Sequence, residues 1–442
     1  MRHKLLIITH DVVEERMAGP AIRCWELARS LSAVADVTLS SQHPITRSHP
    51  DFAVTTFKND DGKLLAQAEA ADILLVQGLM LHAHPRLAEL GKYLVVDLYD
   101  PFVFESYPYF ESQGDRRDQT YLEVLRAMDD QMRVGDYFLC ASDRQRDMWL
   151  GRFCALARLT PEVFALDPAM NRLLAIVPFG LQKEPVTASK PVVRGVMPGV
   201  DEHDFVLLWG GGVWNWFDAP TVVAAVAALA AEGRRVKLVF MGLKHPNPEI
   251  PEMAMATRTV ALAKELGAEG KSVFFNHGWV DYDERQNYLA EADAGISAHF
   301  DSLETRFSFR TRVLDYFWGG LPVLTTEGDG MAELVARERL GLVIGYEDVD
   351  GWKAAIARLM DERAETAAMA SRVRDFAPRF AWDEVAKPLM AYVQAPYRTP
   401  RCLEPAPPRP GLLTKSLTVI EQEGPREFLR KGIGYLAKKV RR

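Results

Sequence analysis

Residues 205–231 read FVLLWGGGVWNWFDAPTVVAAVAALAA. The apolar run 205–209 is short enough for a strand buried on both faces. Gly210, Gly211 and Gly212 follow at once. Asp218 then stands as an N-cap ahead of Pro220, which the first turn of a helix tolerates, and a helix is expected over 219–231. Outward from this strand–loop–helix unit the same alternation runs through the chain, the pattern of parallel sheets covered by helices. The fold class is α/β.

In the first half, strands are expected at 4–9, 36–40, 53–57, 72–77, 93–97, 136–140 and 174–177, with a first helix from Pro20, where Ile22, Trp25, Leu27, Ala28 and Leu31 recur near a 3.6 period. Residues 184–203 hold three prolines and two glycines without an apolar period and read as a connection. Beyond them, strands at 205–209, 236–240, 273–275, 294–297, 322–325 and 341–344 alternate with helices near 219–231, 253–266, 282–291, 309–318 and 350–361. The expected organisation is a Rossmann-like domain at 1–183, the connection, a second such domain at 204–378, a returning helix at 379–395, a spacer at 396–413 and a basic tail at 414–442. Two doubly wound domains leave a cleft between the carboxyl ends of their strands, where such folds bind ligands.

Composition narrows the class. The chain has 442 residues, 48% apolar and 26% charged, with a net charge of −7, which excludes disordered, collagenous and disulfide-scaffold proteins. No nucleic-acid partner is expected. Four cysteines without C-x-x-C spacing argue for a reducing, cytoplasmic setting and against structural zinc. Neither a signal peptide nor a membrane span is read. Residues 396–410 contain six prolines, which favour extended polyproline II. The tail 414–442 carries eight Lys/Arg and three Glu, and its Leu429, Ile433, Leu436 and Val440 fall on one helix face. That pattern suits an anionic membrane surface, or else the protein's own acidic surface.

The chemistry sits in loops after strands. Glycines let a backbone approach an anion, and a helix start supplies unpaired N–H groups, so Gly210–Gly212 suit a diphosphate, or else make a tight turn with no ligand. In AHFDSLETRFSFRTRVLDYFWGGLPVLTTEGDG, Arg306, Arg310 and Arg312 cluster at a helix start, where they can grip phosphate oxygens. Asp315 can accept from both hydroxyls of a ribose, or pair internally with Arg312. His10, Asp11, Asp97, Asp100 and His299 lie at strand ends, and Asp100, Glu304 and His299 are the candidate catalytic groups. Trp214 and Trp216 either join the core or wall a sugar pocket. The DGD at Asp329 reads as a turn, and no metal site is expected.

DYFWGGLPVLTTEGDGMAELV resembles the E-A-M-A-x-G-x-P-V-V stretch of family 4 retaining glycosyltransferases of the GT-B fold, with Asp315 in place of the ribose-binding glutamate. MAGPAIRCWELARSL is similar to the family's G-G-x-x-x-x-x-x-L-A-x-x-L, which puts Gly19 under the donor phosphates, and FAPRFAWDEVAKPLMAYV resembles the helix that crosses back to the first domain. The resemblance implies two Rossmann-like domains facing a central cleft. It also implies a nucleoside-diphosphate-sugar donor, a glycan or lipid-linked acceptor, front-face substitution without a protein nucleophile, and no cofactor. By resemblance, the loop HGWVDYDE meets the base through Trp279 and Val280. Two positions depart from the family: Phe307 stands where its first glutamate belongs, with Glu304 three residues before, and GGGVWNW replaces its Arg/Lys pair. Phosphate charge then falls to Arg306, Arg310, Arg312 or Lys244. A nucleotide-sugar 2-epimerase and a non-catalytic binding module are the competing readings; a dehydrogenase is disfavoured, because no G-x-G-x-x-G follows the first strand.

Overall fold

A computed structural model describes residues 2–403 except Glu249. Most of the proline-rich spacer and the whole basic tail lie outside the described residues. Met1–Arg401 form one compact unit.

The first seven strands are β1 (Lys4–Thr9), β2 (Asp36–Ser41), β3 (Ala53–Thr56), β4 (Ile73–Gln77), β5 (Tyr93–Asp97), β6 (Tyr137–Cys140) and β7 (Leu174–Ile176). They make one parallel sheet in the order β3-β2-β1-β4-β5-β6-β7, with Leu5 opposite both Val37 and Ile73. The next six are β8 (Phe205–Trp209), β9 (Val236–Phe240), β10 (Val273–Phe275), β11 (Ala294–Ser297), β12 (Val323–Thr326) and β13 (Gly341–Ile344). They make a second parallel sheet, β10-β9-β8-β11-β12-β13. Both orders reverse direction beside the first strand of their sheet, the crevice where doubly wound folds bind ligands. Central strands such as β4 and β8 are buried at every residue, as strands covered on both faces must be.

The helix Ala219–Ala231 starts as its sequence dictates: the Asp218 side chain accepts from the Thr221 N–H at 3.2 Å, and Pro220 occupies the first turn. Gly295 in β11 has no substitute, because a Cβ there would lie 2.1 Å from the Tyr316 ring. Tyr316 in turn accepts from the Gly210 N–H at 2.8 Å and donates to the Ile296 carbonyl at 2.6 Å, tying the ends of two strands together.

Three helices, Phe102–Glu105, Tyr107–Ser112 and Arg117–Val134, fill the span between β5 and β6. The last buries only Ala127, Met128, Gln131 and Met132 along its 18 residues, so its apolar stripe is too thin to read from sequence. The helix expected over 309–318 forms at Thr311–Trp318, and a separate turn, Leu303–Phe307, capped by Ser302, precedes it. At the C-terminal end, Trp382 packs on Phe179 with ring centroids 4.9 Å apart, and Tyr392 stacks on Tyr137 at 4.3 Å, which returns the chain to the first lobe.

Candidate functional site

The lobes meet at hydrogen bonds on both sides of a cavity. The Tyr282 hydroxyl donates to Glu26 at 2.7 Å, and the Trp279 indole donates to the Met17 carbonyl at 3.1 Å. On the other side Gln145 donates to the Phe307 carbonyl at 2.9 Å, and the Phe307 ring stacks on Phe104 at 5.5 Å. The cavity between them measures about 350 Å³ and is lined by strand-end loops of both lobes. That is within the range of small-molecule sites, about 300–1,000 Å³.

From the first lobe, the helix Gly19–Leu31 opens on the cavity at Gly19. No side chain caps it, so its first-turn N–H groups stand at the wall, an anion-binding arrangement. Behind it, Arg23 and Asp97 form a fully buried two-bond pair at 2.6 and 3.0 Å, and Arg23 also donates to the Val177 and Pro178 carbonyls. Asp97 is thereby a structural ion partner and does not line the cavity.

Gly210, Gly211 and Gly212 line the opposite wall. Two of their polar groups are spent inside the protein: Gly210 N–H on Tyr316, and the Gly212 carbonyl on the Trp209 indole and on Arg312. Gly211 has φ +71, a left-handed backbone conformation that favours glycine. Trp214 and Trp216 are half-buried against the second core and also line the cavity. Trp214 lies near-parallel to Trp279 at 6.1 Å.

The three clustered arginines have different fates. Arg310 is 4% exposed and donates twice to Glu304, at 2.8 and 2.9 Å, and once to Asp329, at 3.2 Å. Burial alone would lower its pKa, but Glu304 and then Asp329 raise it above its ordinary value. Its charge is already met. Asp329, expected as a turn residue, both caps the helix Gly330–Arg337 and anchors this pair. Arg306 is exposed and does not line the cavity. Arg312 is different: buried, it donates Nη2 to the Gly212 carbonyl at 2.9 Å and lies over the rings of Phe217 (3.9 Å) and Trp209 (4.7 Å). Its Nη1 has no hydrogen-bond partner among the described residues. Burial, with the nearby Arg310 charge, lowers its pKa to about 10 even though Tyr316 acts the other way. Among the described residues this buried guanidinium, at a cavity wall, has no carboxylate partner, and an unpaired buried charge is costly unless an anion joins it.

Asp315, one turn on, also lines the cavity. Its partner is Arg285 at 3.3 Å, not Arg312 as the internal-pair reading supposed. Arg285 is itself stacked on Tyr282 (3.8 Å) and Trp318 (4.6 Å). Burial raises the Asp315 pKa, and Arg285 opposes that. Nothing local in sequence joins residues 30 apart, so the sequence carries no signal for Arg285.

A third group is acidic. Asp100, Glu105 and Glu304 line the cavity together. Burial, followed by the Asp97 charge, raises Asp100 to about 7. Burial, then Asp100 and Glu304, holds Glu105 well above the usual carboxylate range. Glu105 has no signal in the sequence either, since its helix, Phe102–Glu105, is a single turn without an apolar period.

Five further expected residues stand elsewhere. Lys244 is exposed and does not line the cavity, although its neighbour His245 does. His299 is fully buried behind the wall, within 3.4 Å of Asp329; burial and the charges of Arg310 and Arg312 hold its pKa well below the ordinary value. Val280 packs on the core beside the cavity rather than in it. His10 is exposed and Asp11 buried near Asn247, and neither lines the cavity. Among the described residues, no group of three or more His, Cys, Asp or Glu is placed to hold a metal ion, and no helix is long and apolar enough to cross a membrane.

Residues 204–362 match the family described as glycosyl transferases group 1, so the second lobe is a glycosyltransferase domain and the chain is a transferase in kind. The fold is GT-B. The chain is similar to HepE of Anabaena in complex with UDP-glucose (TM-score 0.62, 14% identity, 90% of this chain and 100% of that one). It is similar to WaaG, a glycosyltransferase involved in lipopolysaccharide biosynthesis (0.60, 18%, 89% and 100%). Sucrose-phosphate synthase of Thermosynechococcus elongatus is a third such structure (0.59, 16%, 88% and 97%). No curated protein matches the chain by sequence.

Proposed function

We propose that the protein moves a sugar from a nucleoside-diphosphate donor to a hydroxyl of a glycan or glycolipid, with retention at the anomeric carbon. One observation carries the reading: Arg312, buried with an unpartnered Nη1, shares a helix with Asp315 and one interlobe cavity with the Arg285–Asp315 pair. The ribose hydroxyls then go to Asp315, and the diphosphate lies between Arg312 and the N–H groups that start the Gly19 helix. As the bond from anomeric carbon to diphosphate breaks, charge grows on the leaving oxygen and Arg312 stabilises it. The acceptor oxygen bonds to the same face of the sugar, and its proton passes to the departing diphosphate. Asp100 and Glu105 are placed to orient hydroxyls there.

The UDP-glucose bound by HepE supports a nucleotide-sugar donor, and the part WaaG takes in lipopolysaccharide biosynthesis supports a glycolipid acceptor. In this reading the enzyme is cytoplasmic, uses no metal, and the tail 414–442 brings it to an anionic membrane face. The test is incubation with a panel of nucleotide-sugars, with and without acceptors, followed by proton NMR of the product. Transfer that requires acceptor and keeps the donor's anomeric configuration is expected. Inversion would remove the retaining mechanism, and donor consumption that ignores acceptor would favour the epimerase reading. Turnover abolished by EDTA and restored by Mn²⁺ would overturn metal independence.

A further inference from the structure

A second cavity, of about 390 Å³, lies in the first lobe among the helices Phe102–Glu105, Arg117–Val134 and Asp143–Ala155. Phe104, Tyr107 and Tyr121 form its sides and Met128, Met132 and Met148 its flexible lining. The charged residue on its wall, Arg152, is held by Asp129 at 2.6 Å, so its charge is already met. Tyr107, on its wall, is 44% exposed, so the groove has an apolar edge open to solvent.

This groove adjoins the interlobe cavity. Pro101 lines both cavities, and the one-turn helix that follows it is two-sided. Glu105 faces the interlobe cavity, whereas Val103 and Phe104 face the groove. Across Pro101 from the interlobe cavity, the groove is walled by rings and thioethers. A glycan would lose its water there for nothing in return. A peptide would need partners for its backbone. A hydrocarbon chain is recognised by buried area alone, and methionine walls adapt to it.

We propose that the groove binds the apolar part of the acceptor, a linear hydrocarbon chain whose hydroxyl-bearing head lies beside Asp100 and Glu105. The proposal rests on reading the interlobe cavity as the transfer site. The probe is N-phenyl-1-naphthylamine, whose fluorescence rises in apolar surroundings, titrated into the full chain and competed with dodecanol. A Cβ on Gly151 would meet nothing within 4 Å, so Gly151→Phe blocks the groove without forcing the helix. Met148→Gln tests the same wall by polarity. Saturable binding is expected, displaced by dodecanol but not by glucose or a nucleoside diphosphate, and weakened about tenfold in both variants. Thermal shifts with nucleoside diphosphates should stay unchanged in both. Equal probe affinity in the wild type and both variants would overturn the proposal, as would displacement of the probe by a peptide of residues 425–442, which would make the tail the occupant. If no donor is used by any acceptor while the probe results hold, the transferase reading fails and the hydrocarbon site stands.

Discussion

Replacing Arg312 with methionine should separate binding from stability. A guanidinium lowered to about 10 by burial carries roughly 3 kcal/mol of uncompensated charge burial, at about 1.36 kcal/mol per pH unit below its ordinary value. The sign follows from linkage: the folded state disfavours the charged form, so the cost is present throughout neutral pH and fades only above about pH 10. Methionine removes that cost. It also removes the bond to the Gly212 carbonyl, worth about 1.5–3 kcal/mol for a charged donor, and ring contacts with Phe217 and Trp209 worth about 0.5–2 kcal/mol. These oppose each other, and the ligand-free protein should melt within a few degrees of the wild type. Nucleoside diphosphate affinity, in contrast, loses a charge-assisted bond of about 1.5–3 kcal/mol, or roughly 10- to 150-fold in Kd. Calorimetric titration and a thermal melt read the two effects on one sample. A melting point lowered by about 10 °C or more with unchanged nucleotide affinity would show that Arg312 is structural.

Arg310→Met leaves Glu304 and Asp329 buried without their cation, so the urea midpoint should fall by the equivalent of about 3–5 kcal/mol; an unchanged midpoint refutes the network. Asp100 holds a proton in the folded protein up to about pH 7 that the unfolded chain releases near pH 4, so wild-type stability falls as pH rises through that window. Asp100→Asn lacks that slope and should be the more stable protein at about pH 8, measured by urea unfolding across the range; identical slopes would show that Asp100 ionises normally. Charge reversal of Lys438, Lys439 and Arg441 to glutamate should abolish salt-sensitive flotation with anionic liposomes, and undiminished flotation would remove the tail as the anchor.

The strands are legible because each is a short apolar run bounded by turn residues. β1, β5, β8, β9, β10, β11 and β13 fall on the residues expected; burial on both faces keeps most positions of the central runs apolar, and the edge strand β13, only partly buried, is read from its short apolar run alone. The region 101–134 is not legible. Its helices are polar on most of their surface, and what they bury, Met128 and Met132 among it, lines a groove rather than a core. The site is half legible for the same reason. Arg310 and Arg312 look alike in sequence, but only three-dimensional packing delivers Glu304 and Asp329 to one and a backbone carbonyl to the other. Lys244 and His299 follow strands as ligand residues do, yet the first is exposed beside His245, which lines the cavity in its place, and the second is sealed behind the wall. Asp315 stands out by its motif, whereas Arg285, its partner, comes from a different strand–helix connection.

The most direct test is a crystal structure with a bound nucleoside diphosphate, chosen from UDP, GDP, dTDP, ADP and CDP by the largest thermal shift. The account predicts the nucleotide between the lobes, with ribose hydroxyls on Asp315 and a phosphate oxygen on Arg312 Nη1, at the Gly19 helix start. A diphosphate held instead by Arg306 or Lys244, or a nucleotide outside the interlobe cavity, would contradict it.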